Sequence, residues 1–152
     1  IGILDMDGLI EYRRQCQETK QGVQRMAIEY PQAPAAESVM CDESGHEFIR
    51  LGITVHRDII TGLGFILDEE LPGDIGTAMT EVTRLAKDKA IMAASLIRAS
   101  DIEEALPADD PGAPRAAAVA ELMLRECLRN YSMSYNRARA ERLRAREQKE
   151  RE

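Results

Sequence analysis

The first periodic stretch runs from Asp7 to Tyr30, where Leu9, Tyr12, Cys16, Thr19, Val23, Met26 and Tyr30 recur at alternating steps of three and four. This heptad spacing predicts a helix that packs along a partner helix. Asp7 is suited to cap it, and Pro31 and Pro34 end it. Thr19 and Gly22 weaken the seam, since an interior glycine costs about 1 kcal/mol against alanine. Two outcomes fit the pattern equally: docking on the chain's own domain, or an intermolecular coiled coil through Leu9, Tyr12, Cys16, Val23, Met26 and Tyr30.

After a Pro/Ala linker over 31–36 the period changes to two. In the stretch 46–55, Ile49, Leu51, Ile53 and Val55 share one face, as a half-buried strand requires. His56, Arg57 and Asp58 make a short turn, and 59–67 returns as a second strand. So short a connection makes the pair antiparallel, because a parallel return needs a crossover of about a dozen residues. Ser38 to Cys41 can add a third strand.

Beyond Glu70 the pattern is helical. Pro72 suits a first turn, and Ile75, Met79, Val82 and Leu85 or Ala86 repeat at helical spacing as far as Lys87-Asp88-Lys89. Ile91 to Ile97 reads as a second helix, and Asp101 to Leu106 as a short third one capped by Ser100 or Asp101. A Pro- and Asp-rich loop over 107–114 follows. From Arg115 to Glu152 there is no Gly or Pro, which predicts one long helix. Its first half has core character at Val119, Leu122, Met123, Leu124, Cys127 and Leu128. A seam through Leu124, Leu128, Tyr131, Tyr135, Ala138 and Ala145 continues it, interrupted by Arg142. About 36 helical residues span roughly 54 Å, more than the width of such a domain. The end must therefore project or pack on another chain. The expected fold is α+β: an N-terminal helix (1–32), a small antiparallel sheet of about three strands, then helices ending in one long projecting helix. The globular part covers 33–131, and 132–152 is a charged extension.

With 152 residues, 44% hydrophobic and 31% charged, the chain has the make-up of one globular domain. No apolar run is long enough to span a bilayer and no signal segment opens the chain. It begins without Met, so the N-terminus of the protein is expected upstream of Ile1. Cys16, Cys41 and Cys127 are odd in number and far apart, which points to a reducing, cytoplasmic setting rather than a disulfide framework. The formal net charge of −7 disfavours nucleic-acid binding. That charge is unevenly spread. Up to Leu128 there are 12 basic and 23 acidic residues, or −11, and from Arg129 onward 8 basic and 4 acidic, or +4. Acids interleave with the arginines, Arg146–Glu150 and Glu147–Arg151 falling at the i,i+4 spacing of a solvated helix. Membrane contact is not indicated, since no strongly apolar face accompanies the arginines.

Ile1 to Ile10, with Asp5-Met6-Asp7-Gly8, resembles the first motif of haloacid-dehalogenase-type phosphatases. The resemblance implies Asp5 as nucleophile, Asp7 as general acid and a Mg²⁺ ion. No later strand supplies the phosphate-holding Ser or Thr, no strand supplies the metal-binding acids, and the strand–helix alternation of that fold is missing. A protein-supplied metal site through His46, His56 and the cysteines lacks the close ligand pairs such sites use. The scattered methionines read as gap-filling core or adaptable contact surface.

The order of elements over about 38–131 resembles the NifU/IscU-type iron–sulfur scaffold family. Gly45 to Val55 is similar to that family's Cys-Gly-Asp and the strand after it, and 59–65 to its next strand. The helix ending in Lys87-Asp88-Lys89 resembles one ending in Lys-Gly-Lys. The 101–106 segment resembles the acidic helix that follows, and Ala120-Glu121 the last helix. The resemblance implies three cluster-binding Cys with an Asp and a His. In this chain the first Cys position falls on Gly45, with Cys41 four residues away, and the Asp position on Glu47. The second falls at Leu71 or Pro72, and the third, with its His, near Arg115-Ala116. Thiolates bind iron and accept sulfur, and Leu, Pro and Ala do neither.

The resemblance therefore implies a degenerate member. The expectation is a non-enzymatic adaptor without a cofactor that self-associates through its helices, Leu124, Leu128, Tyr131 and Tyr135 included. Its implied client is a multisubunit iron–sulfur redox enzyme, for example a nickel–iron hydrogenase. The alternative is a scaffold that holds clusters between subunits, with Cys41 and Glu47 as its weak metal-ligand candidates.

Overall fold

A computed structural model of the chain describes residues 25–151. Four strands, β1 (Arg25–Ile28), β2 (Ala36–Cys41), β3 (Glu47–His56) and β4 (Ile59–Asp68), precede four helices. The helices are α1 (Gly73–Ala86), α2 (Ile91–Ala94), α3 (Ala99–Glu103) and α4 (Ala113–Arg151). The sheet is antiparallel throughout, in the order β1-β4-β3-β2. This is the expected α+β arrangement, with one strand more than the alternation in the sequence announced.

Period two sorts the sheet into faces. Ile49, Leu51 and Ile53 of β3 join Leu63, Phe65 and Leu67 of β4 in the main core. Their partners across the layer are Ile75, Met79 and Val82 of α1, Ile102 of α3, and Met123, Leu124 and Cys127 of α4. The turn between β3 and β4 is two residues long, with Arg57 and Asp58 both at positive φ (52° and 64°). Positive φ at both central positions matches the twist of the flanking strands. Asp88, also at positive φ, ends α1 and returns its N–H to the Ile60 carbonyl at 2.8 Å.

The fourth strand corrects the predicted N-terminal helix. Arg25–Ile28, the end of the segment read as helical, pairs along β4 from Arg25↔Asp68 to Ile28↔Phe65. Its burial alternates, with Arg25 and Ala27 enclosed on one face and Met26 and Ile28 packed on the main core from the other. Met26 faces the main core whereas Tyr30, beyond the end of β1, packs with Ala27 and Ile66 on the other face, so the edge of a long β4 and not the 3-4 spacing sets this segment. Leu9, Tyr12, Cys16 and Val23, and with them Asp5 and Asp7, lie outside the described residues.

Glu29, at φ 50°, turns the chain out of β1 and across the outer sheet face. A Cβ at Gly64 would lie 2.1 Å from the Glu29 carbonyl oxygen, and one at Gly52 2.9 Å from the Tyr30 ring. Gly52 and Gly64 are register partners, so together they form the trough that Tyr30 crosses. Ala27, Tyr30 and Ile66 make a small second core there.

The helix α4 is 39 residues long, about 58 Å at 1.5 Å per residue. Its first part covers the edge strand β2. Ser38 Oγ donates to the Met123 carbonyl at 2.7 Å, Cys127 Sγ to the Ala36 carbonyl at 3.5 Å, and Asn130 Nδ2 to the Glu37 carbonyl at 2.8 Å. Edge strands are often covered in this way, which blocks unwanted pairing. The last buried residue of α4 is Leu128; Asn130 and Tyr131 still touch the body, and the helix beyond them leaves it.

Candidate interaction surfaces

At the end of the sheet where β1 and β3 begin, charged side chains form an unbroken chain of contacts. His46 Nε2 lies 2.7 Å from Asp68 Oδ2, and Arg25 Nε 3.2 Å from Asp68 Oδ1. Arg25 Nη2 reaches Glu47 Oε2 at 3.3 Å. Arg50 holds both oxygens of Glu47, at 2.8 and 2.5 Å, and donates to Glu37 Oε2 at 2.9 Å. The Tyr30 hydroxyl donates to that same Glu37 carboxylate. Burial alone would raise the Glu47 carboxyl, but Arg50 and then Arg25 outweigh it and hold it below the ordinary carboxylate value. Burial, with the Glu37 charge beside it, pushes the Tyr30 phenol upward. Each carboxylate here faces a guanidinium or an imidazole, an arrangement that clamps strand ends.

Cys41 and Glu47, the weak ligand candidates, are register partners across β2 and β3. Cys41 is exposed, whereas both Glu47 oxygens are engaged by Arg50. Cys127 is enclosed, and burial, with Glu37 nearby, pushes its thiol up to about 12. Among the described residues no group of three His, Cys, Asp or Glu could hold a metal ion.

The predicted seam on the long helix divides in two. Leu124 and Leu128 are 2% and 6% exposed, committed to the chain's own core, so they are corrected from partner-facing to structural positions. Met26 and Tyr30 are corrected for the same reason. Tyr131 and Tyr135 stack with ring centroids 6.4 Å apart, and Tyr135 is half exposed. From Arg129 to Arg151 only Tyr131, Ala138 and Ala140 are even partly covered. An isolated helix draws little stability from its own hydrogen bonds and depends on packing or charge pairs. Arg129–Glu126, at 3.8 Å, supplies a weak one.

A cleft of about 350 Å³ opens between α2 and α4, with Met92, Ala94, Ile97, Leu124 and Leu128 in its walls and Arg125 at its rim. Met92 is 82% exposed and Leu96, in the turn after α2, 69%. The sequence predicts a helix over 91–97. The helix stops at Ala94, which is buried, and Ile91 and Ile97 pack on the core while Met92 and Leu96 stay outside.

Neither the charged chain of contacts nor the cleft was anticipated. Arg25 falls in the stretch read as helix, Glu37 and Asp68 lie just outside the expected strands, and only Arg50 sits on one, so it is the register that brings the four together. No protein-family model matches the chain, and no curated protein sequence matches it. No helix among the described residues is long and apolar enough to cross a membrane.

Proposed function

We propose that this chain is a non-catalytic adaptor that self-associates through its projecting helix. The observation that carries the reading is α4. Its first half is fixed to the body through Met123, Leu124, Cys127 and Leu128, and its 132–151 part extends roughly 30 Å further at 1.5 Å per residue. A rigid arm mounted on a packed core is suited to holding another chain at a set distance.

The resemblance to NifU/IscU-type scaffolds supports a body that keeps the shape by which such domains meet iron–sulfur proteins. The Glu47 carboxylate, gripped by Arg50 and Arg25, favours docking over cluster holding, because the two guanidiniums compete with any cation there. A multisubunit iron–sulfur redox enzyme, such as a nickel–iron hydrogenase, is the client this reading favours.

Light scattering on the purified chain over a micromolar range tests the reading, together with anaerobic iron–sulfide reconstitution and iron counting. Assemblies above the 17.0 kDa chain mass and colourless, iron-free protein are expected. A strictly monomeric chain overturns the self-association. Stoichiometric iron with a visible cluster spectrum overturns the adaptor reading in favour of a cluster scaffold.

A further inference from the structure

Among the described residues, a group of exposed acids and the basic arm lie at opposite ends of the body. Cys41 pairs with Glu47 and Arg25 with Asp68, so the loop after β2 and the segment after β4 leave the sheet at one end. Asp42, Glu43, Glu69 and Glu70 are exposed there. A Cβ at Gly112 would lie 2.2 Å from Asp74 Oδ2, which brings the loop containing exposed Asp109 beside the start of α1 at that same end. The helix α4 starts here. It runs antiparallel to β2, with Met123 at Ser38 and Cys127 at Ala36. Tyr131 comes beside Asp58 of the β3–β4 turn, whose charge helps raise the phenol after burial. Arg137, Arg139, Arg142, Arg144 and Arg146 therefore extend from the end opposite the acids.

A single chain cannot bring the two together. No Gly or Pro interrupts the sequence from Arg115 to Glu152, and Arg137 is already about 36 Å along the rod from Ala113 at 1.5 Å per residue. Side-by-side pairing of two projecting helices is also disfavoured. It sets +4 against +4 and drives Arg142 into the stripe of Tyr131, Tyr135, Ala138 and Ala145.

We propose that the 129–151 helix of one chain docks on the acidic end of a second copy, between the loops after β2 and β4 and the 107–112 loop. This rests on the self-association reading and specifies its geometry. The contact is heterologous: every chain offers one basic arm and one acidic end. Assembly therefore proceeds head to tail, into a ring where the rotation closes and a growing filament where it does not. Opposite charge steers the encounter and fixes the partner. At about 0.1 M salt charges are felt over about 10 Å, against about 3 Å at 1 M, so the assembly is salt-sensitive.

Sedimentation velocity on three full-length proteins tests this. They are the unaltered chain, an arm-reversed variant (Arg137→Glu, Arg139→Glu, Arg144→Glu, Arg146→Glu) and an end-reversed variant (Glu43→Lys, Glu70→Lys, Asp109→Lys). All substituted positions are exposed, and circular dichroism checks that each variant folds. The unaltered chain should form concentration-dependent assemblies at about 0.1 M salt that fall to 17.0 kDa monomer at about 1 M. Each variant alone should be monomeric, and mixing the two should restore assembly, because acidic arm then meets basic end. If the end-reversed variant assembles as the unaltered chain does while the arm-reversed one does not, the arms pair with each other and this docking is wrong. If neither variant changes assembly, this docking is wrong and self-association stands. If the unaltered chain is monomeric at low salt, both fall.

Discussion

Two glycines carry opposite expectations. At Gly64 the Glu29 carbonyl oxygen occupies the space a Cβ would take, 2.1 Å away, and it is backbone that cannot swing aside. Gly64→Ala should destabilise by about 1–3 kcal/mol, the usual range for overpacking. At Gly76, inside α1, nothing lies within 4 Å of the added Cβ. Gly76→Ala should stabilise by about 0.5–1 kcal/mol, from helix propensity and the unfolded chain's lost freedom. Urea denaturation of both variants reads the two signs. Glu47 gives a pH signature. Its folded value lies below the ordinary 4.5, so its stabilisation is full above the unfolded value and is lost as pH falls through the folded one. Glu47→Gln should cost about 1–3 kcal/mol at neutral pH. The gap from the unaltered chain should narrow in thermal melts below about pH 4. The thiols separate as well. At pH 8 iodoacetamide should modify Cys41 readily and leave Cys127, with its thiol near 12, unmodified until the protein unfolds, as peptide mass spectrometry can show. The residues that were legible in sequence are those set by local period, such as Ile49, Leu51 and Ile53. The Arg25–Asp68 and Arg50–Glu37 contacts were not legible, because the period of one strand carries no information about which residue its neighbour will place opposite.

At the scale of elements, β3, β4, α1 and the long helix were readable, each bounded by its own punctuation: the 56–58 turn, Pro72, and the Gly- and Pro-free stretch after Arg115. The strand β1 was misread because four residues are too few to distinguish a period of two from the end of a heptad. Its identity comes from the unfilled edge of β4, a tertiary fact. The 91–97 segment was read as one helix, whereas the helix ends at Ala94 and Leu96 is exposed in the turn after it. For α4 the division at Leu128 has a direct consequence. Ending the chain after Asn136 removes no buried side chain and should leave the melting temperature of the body within about 2 °C. Urea or thermal melts check this, while the same truncation should abolish assembly.

For the whole molecule, a net charge of −7 conceals an acidic body and a basic arm. Sequence showed that the charges differ between the two parts, but it could not show that they sit at opposite ends. That follows from the antiparallel run of α4 along β2 and from the loops that share the far end of the sheet. A rod that cannot reach its own acidic end must satisfy its charge elsewhere or remain solvated, and this choice separates an assembling adaptor from a solitary domain. Sedimentation equilibrium of the full chain beside the chain ended after Asn136, at equal micromolar concentration and about 0.1 M salt, decides it most directly. Assemblies heavier than 17.0 kDa for the full chain alone, with the shortened chain monomeric, are the expected result. A full chain that sediments as a single 17.0 kDa species would contradict the central claim.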